Sequence, residues 1–328
     1  MDRTAITSHI EHSIFNFDKI SYPFRLFLKK ISSIKFRLKK SIMWYVVLSI
    51  ICSVSVGILL KIAKRFQVNI FQIITWNYAT AFVLTYIFFK PQFKESIEQI
   101  PIELLLSLAI LLPIVFLFQN ASIKNIGIVK TDIAQRLSLF IPILAAYFIF
   151  KETFTTYKII GIIFGFSAIF FTLSKKTEHK NSNTNWIYPI LVLLGFGIID
   201  TLFKRVATIS EIPFTTILFF IFGGALLLSI LIVLYKVIIQ KETIKLENSY
   251  WGIGIGILNF GNILFYLNAH KVLHNNPSTV FAGMNMGVII LGSIAGILIF
   301  KEKLSKLNYI GIFLAILSII CITLSLLE

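Results

Sequence analysis

The sequence predicts an all-α membrane protein, with ten transmembrane helices arranged as two inverted five-helix repeats. Three observations predict it. Of 328 residues, 57% are hydrophobic and only 14% charged, against roughly 45–50% and about 25% in ordinary soluble domains. The apolar residues come in continuous runs of about 18–25, the length that crosses a hydrocarbon core of about 30 Å, and not in the alternating ten-residue segments of a β-barrel. Finally, Phe150-Lys151-Glu152, followed by Gly161 between Ile160 and Ile162, returns 150 residues later as Phe300-Lys301-Glu302, followed by Gly311 between Ile310 and Ile312. A charged hairpin between two membrane-length runs, repeated at one offset, marks an internal duplication.

In chain order, residues 1–42 are polar and basic, with Phe24, Phe27, Leu28, Ile31, Ile34 and Leu38 at helical spacing. A basic amphipathic helix on an anionic leaflet accounts for this pattern. A disordered tail, or an extension from an upstream start codon before Met43, are the alternatives. No small-residue cleavage site marks a signal peptide. The first repeat, residues 43–173, holds spans at Met43–Ala63, Asn69–Phe89, Ile102–Ser122, Ile128–Phe150 and Tyr157–Leu173. A polar linker, 174–185, separates it from the second repeat, 186–328. Its spans are Trp186–Val206, Thr215–Val237, Tyr250–Ala269, Thr279–Phe300 and Tyr309–Leu327. Because five is odd, the two copies must enter the membrane from opposite sides. They are therefore related by a pseudo-two-fold axis in the membrane plane, the symmetry from which alternating access follows.

The formal charge of +16 sits in loops and in the tail, where it meets lipid headgroups; it is not a nucleic-acid footprint. The Lys/Arg tally of the two faces comes out level once the tail is counted, so charge alone leaves orientation open. Cys52 and Cys321 both lie in apolar spans and read as small packing residues, not a disulfide framework.

The sharpest polar signal is in span four. Asp132, Gln135 and Arg136 share one helical face. Arg136 lies fifteen residues before Lys151, about 22 Å along a helix, well inside the hydrocarbon. An unpaired Arg there costs about 2.5–3.5 kcal/mol, so it should face a cavity or a partner. Two readings compete: an anion-binding Arg oriented by Asp132, or an Asp132–Arg136 salt bridge that only stabilises the bundle. At the 150-residue offset Gln135 falls on Asn285, so the two carboxamides should face each other across the pseudo-two-fold, while Arg136 falls on Met286 and Asp132 on Ala282. Span eight adds Asn259, Asn262 and Tyr266 on one face, as cavity lining or as bridges between helices.

Small residues spaced four apart (Gly161/Gly165, Gly252/Gly256, Gly283/Gly287, Gly292/Gly296) mark helix seams. Asp200 and Lys204, also four apart, read as a structural salt bridge, with a proton-titrating carboxylate as the sharper alternative. His270 and His274 share that spacing, but no HExxH accompanies them, so no metal is expected. No GxSxG, HExxH or Walker sequence is present, which argues against an enzyme; neither cofactor nor catalytic residue is expected.

The chain resembles the drug/metabolite transporter superfamily, in its ten-span EamA-type branch. Residues 43–327 carry the resemblance, most specifically Ile141-Pro142 with Phe150-Lys151-Glu152 and Ile160-Gly161, and the second Phe300-Lys301-Glu302 with Ile310-Gly311. The resemblance implies a cavity walled by spans three, four, eight and nine. It makes Glu152, Gly161, Glu302 and Gly311 structural repeat-motif residues, not substrate ligands, and favours both termini inside. The chain departs from it in having no proline in span nine to match Pro142.

The expectation is a multi-pass secondary transporter of the plasma (inner) membrane that exports or exchanges a small polar metabolite, an amino acid or related organic anion. Arg136, Gln135, Asp132, Asn285, Asn262, Asn259 and Tyr266 would bind it. Its partners would be the lipid bilayer, the small-molecule substrate and either a coupling proton or a counter-substrate; monomer and homodimer both fit. The alternatives are a multidrug exporter of lipophilic cations, or a lipid-carrier flippase subunit.

Overall fold

A computed structural model describes residues 40–66, 68–91, 101–126, 128–173, 187–209, 212–301 and 304–326. The amphipathic-tail expectation, the polar linker and Glu302 lie outside the described residues. The first repeat holds α1 (Lys40–Ala63), α2 (Ile70–Phe89), α3 (Ile102–Ile126), α4 (Ile128–Leu137), α5 (Phe140–Phe148) and α6 (Thr156–Leu173). The second holds α7 (Ile187–Thr208), α8 (Phe214–Ile239), α9 (Leu246–Val272), α10 (Pro277–Phe300) and α11 (Lys306–Ser325). Eight of these are long and apolar enough to cross a membrane, and α6 is a shorter apolar helix. The tenth crossing is made by α4 and α5 in succession.

Span four is therefore not the continuous helix expected over Ile128–Phe150. Pro142 has no N–H to give the Ser138 carbonyl, which takes the Ile141 N–H instead at 3.0 Å, while Leu139 N–H reaches the Arg136 carbonyl at 3.2 Å. The tightened turn separates α4 from α5. Gly197 of α7 packs into the break: a Cβ there would lie 2.9 Å from the Ser138 carbonyl oxygen and 2.6 Å from Ile141. Its counterpart α10 has no internal proline and runs unbroken for 24 residues.

The inverted repeat is visible in single contacts. On the α6–α11 seam, Gly161 abuts Ile322 and Gly311 abuts Thr172; adding or subtracting 150 turns one pair into the other. Residues near the start of each helix meet residues near the end of its mate, so the pair is antiparallel and its two-fold axis lies across the helices. Ser318 Oγ closes the same seam by donating to the Gly161 carbonyl at 2.6 Å. Helix ends repeat as well. Four lysines adopt left-handed backbone, Lys90 and Lys151 in the first half and Lys241 and Lys301 in the second, with φ of 42–55°. Each stops a helix at an equivalent place in its repeat.

The remaining packing follows small residues. Helix α2 packs on α8 and α9, and α3 on α7 and α8. Gly252 and Gly256 admit the α2 backbone so closely that added Cβ atoms would lie 2.9 Å from the Ile73 and Asn77 carbonyl oxygens respectively. Span nine divides its glycines: Gly287 receives Ile50 of α1, but a Cβ on Gly292 would meet nothing within 4 Å. The seam expected along all of span nine is thus a seam at one end and an opening at the other. Large side chains such as Leu298, Phe170 and Phe88 are exposed on the outside, where acyl chains would cover them.

Candidate functional site

The opening beside Gly292 belongs to a cavity of about 580 Å³ lined by α1, α3, α4, α7, α9 and α10. It runs from Lys61 and Phe300, at the ends of α1 and α10, down to Phe203 and Tyr266. Two local features hollow it out. Gly57 and Gly292 leave space where any side chain would intrude. The break after α4 lets α4 present its polar face inward, independently of the apolar α5.

That face carries the expected cluster. Arg136 Nε donates to Asp132 Oδ2 at 3.1 Å, with the two side chains 18% and 38% exposed and both on the cavity wall. The salt bridge forms and still leaves the guanidinium on the cavity wall. Gln135 Oε1 accepts from Gln119 Nε2 at 2.8 Å. Asn285 lines the cavity too, but its amide donates to the Phe281 carbonyl at 3.0 Å, within its own helix. The two symmetry-related carboxamides share one cavity without bonding each other. On α9, Asn262 accepts from Ser49 of α1 at 2.8 Å and Asn259 donates to Asn77 of α2 at 3.2 Å. Both also line the cavity, so each bridges helices and borders the space. Tyr266 Oη donates to Asp200 Oδ1 at 3.1 Å.

The Asp200–Lys204 salt bridge is not made. Lys204 is buried and donates instead to the His274 carbonyl at 2.7 Å, while Asp200 points into the cavity toward Tyr266. The turn at the end of α9 supplies a carbonyl acceptor nearer the lysine than its helical neighbour. His270 is fully buried, neither ring nitrogen has a hydrogen-bond partner among the described residues, and no group of three metal-ligating side chains occurs among them.

Beyond the Phe203–Tyr266 end of the cavity lies a buried polar latch that ties the end of span four to α10. Left-handed Lys151 ends span four and turns Glu152 back toward the bundle. Its Oε1 accepts from Lys158 Nζ at 2.7 Å and from Ser278 Oγ at 2.6 Å, and its Oε2 accepts from the Ser278 N–H at 2.9 Å. Lys158 Nζ also donates to Asn276 Oδ1 at 2.8 Å. The carboxylate thus sits on the N-terminus of α10, where exposed N–H groups favour an anion. A buried ion pair is tolerated when its remaining bonding capacity is met, as here.

Three contributors are not singled out by sequence pattern: Gln119, Lys61 and Lys158. A lysine one turn inside an apolar span was the available signal for Lys158. Glu152 was read as a helix-end residue; it is one, and it also ties that end to α10.

Residues 40–174 match the EamA-like transporter family. An uncharacterized protein of Haemophilus influenzae is 42% identical over 286 residues, covering 84% of this chain and 96% of that one. A solved crystal structure aligns with 87% of this chain and 97% of its own at a TM-score of 0.66. Its sequence identity is 11%, so that likeness speaks for the fold alone.

Proposed function

The chain belongs to the EamA-like transporter family, within the drug/metabolite transporter superfamily, and on that premise we propose that it moves a small polar metabolite carrying an anionic group, an amino acid or related organic anion, across the plasma membrane by alternating access. Transport, not catalysis, is the activity of this family. The observation that carries the substrate reading is Arg136: a guanidinium held at mid-span by Asp132 and still open to a cavity of about 580 Å³. A carboxylate or phosphate entering from the Lys61 end would meet the cavity-facing guanidinium of Arg136 in a setting where charge-assisted bonds are strongest. Gln135, Asn262, Asn285 and Tyr266 border the same space and would hydrogen-bond the rest of the molecule.

The cavity opens at one end and is latched at the other, as an alternating-access carrier caught in one of its two states would be. If both termini lie inside, the open end faces outward. A lipophilic-cation exporter would want a cavity without a mid-span guanidinium. A thermal-shift screen of the purified protein against a metabolite library, repeated on Arg136→Ala, tests the reading. Anionic ligands should stabilise the parent and bind roughly 10–100-fold more weakly to the variant, from the loss of bonds of about 1.5–3 kcal/mol. Equal affinity for an anionic ligand would remove Arg136 from the site.

A further inference from the structure

The cavity holds a second ionisable feature that the substrate reading does not use. Asp200 lines its floor and accepts a hydrogen bond from Tyr266 at 3.1 Å. No cation pairs with it among the described residues. Lys204, one turn further along α7, is directed to the His274 carbonyl, and Arg136 across the cavity is engaged by Asp132. On the side of Tyr266 toward the latch stands His270, its ring edge-on to the tyrosine with centroids 4.6 Å apart. It is fully buried, and neither ring nitrogen is hydrogen-bonded among the described residues.

A carboxylate deep in a bilayer with no counter-cation loses its charge by taking up a proton. Cavity water can deliver that proton to Asp200 now, from the open end. Once the latched face opens, His270 and Lys204 line the route by which it would depart. The titratable groups that border Asp200 or its cavity among the described residues are few: Tyr266 and His270 from α9, Asp132 and Arg136 from α4, Lys204 on α7 itself, and Lys61 from the far end of α1. The lining residues from α3 carry none.

We propose that Asp200 is a proton-binding site, oriented by Tyr266, through which transport is coupled to the proton gradient. The coupling rests on the transporter reading above; the proton site itself does not. Asp200 picks up one proton at the open face and releases it when the cavity opens to the other, with no other bond made or broken. The second ligand of the cavity is thus the proton, and substrate selection remains with Arg136.

The full chain, reconstituted in liposomes on a solid-supported membrane and given steps in pH without any organic substrate, provides the test. The parent should show a transient charge displacement that saturates with pH. Asp200→Asn, which keeps the Tyr266 hydrogen bond, should reduce it at least tenfold, while Glu103→Gln at the start of α3 leaves it intact. Tyr266→Phe removes the bond that orients the carboxylate, so the midpoint of the pH dependence should shift. Unchanged displacement in Asp200→Asn would overturn the proposal, as would a parent that shows none at any pH. A flat parent would mean that Asp200 instead serves a substrate ammonium. Because no metabolite is added, failure of the Arg136 experiment leaves this result standing, and the reverse holds too.

Discussion

Removing Lys158 should unlatch the sealed face. In the closed arrangement its ammonium, 1% exposed, neutralises a Glu152 carboxylate that is itself out of contact with water. Truncation to alanine strands that carboxylate with only its Ser278 bonds, a loss of about 3–5 kcal/mol for a buried pair. The loss falls on the sealed state alone, because opening hydrates the carboxylate. At 1.4 kcal/mol per decade, the ratio of open to sealed molecules should rise by roughly 10²–10³-fold. Ala282 reports it well. It is 2% exposed, and it is the repeat counterpart of Asp132, which already borders the open cavity. With Cys52 and Cys321 replaced by alanine, the reaction of Ala282→Cys with a water-soluble maleimide should be slow in the parent and accelerate by about two orders of magnitude in Lys158→Ala. The double variant Glu152→Gln/Lys158→Met, which retains the Ser278 bonds without a buried charge, should return it to the slow rate. Equal labelling in folded parent and Lys158→Ala protein would refute the latch.

Two glycines of the second half should respond oppositely. Gly252→Leu drives a side chain into Trp76 and the Ile73 carbonyl, and should lower the melting temperature by an amount equivalent to at least 1–3 kcal/mol. Gly292→Ala projects into empty cavity and, by restricting the unfolded chain, should leave the melting temperature equal or slightly higher. In the α8–α9 hairpin, hydrogen bonds from Lys236 and Asn69 hold the Glu242 carboxyl below its usual range. Its folded value lies below its unfolded one, so this contact contributes at neutral pH and is lost as pH falls through the folded value. The melting temperature of Glu242→Gln should therefore depend less on pH in the acid range than that of the parent; parallel acid profiles would exclude the contact.

The number of crossings, the repeat and its inversion were legible because hydrophobic run length and an odd count of runs suffice to fix them. The α6–α11 seam was legible through Gly161 and Gly311, since only a missing Cβ permits that approach. What could not be read was partner choice. Asp200 and Lys204 have ideal spacing for a pair, yet each finds a partner elsewhere, on α9 and in the turn that follows it, and spacing along one helix says nothing about neighbours. Likewise Pro142 was noticed as part of a motif, but whether a proline kinks a helix or divides it depends on what fills the gap. Here Gly197 of α7, 55 residues further along the chain, fills it.

That division has a mechanical consequence. The two copies share a topology but not a stiffness: span four is a rod already cut in two, whereas span nine is intact. Bending at a pre-existing joint need not break backbone bonds, whereas bending α10 must. In the alternating-access cycle proposed above, the forward and return strokes should therefore differ in rate although the symmetry of the architecture would make them equal, a bias that a single imino acid would introduce.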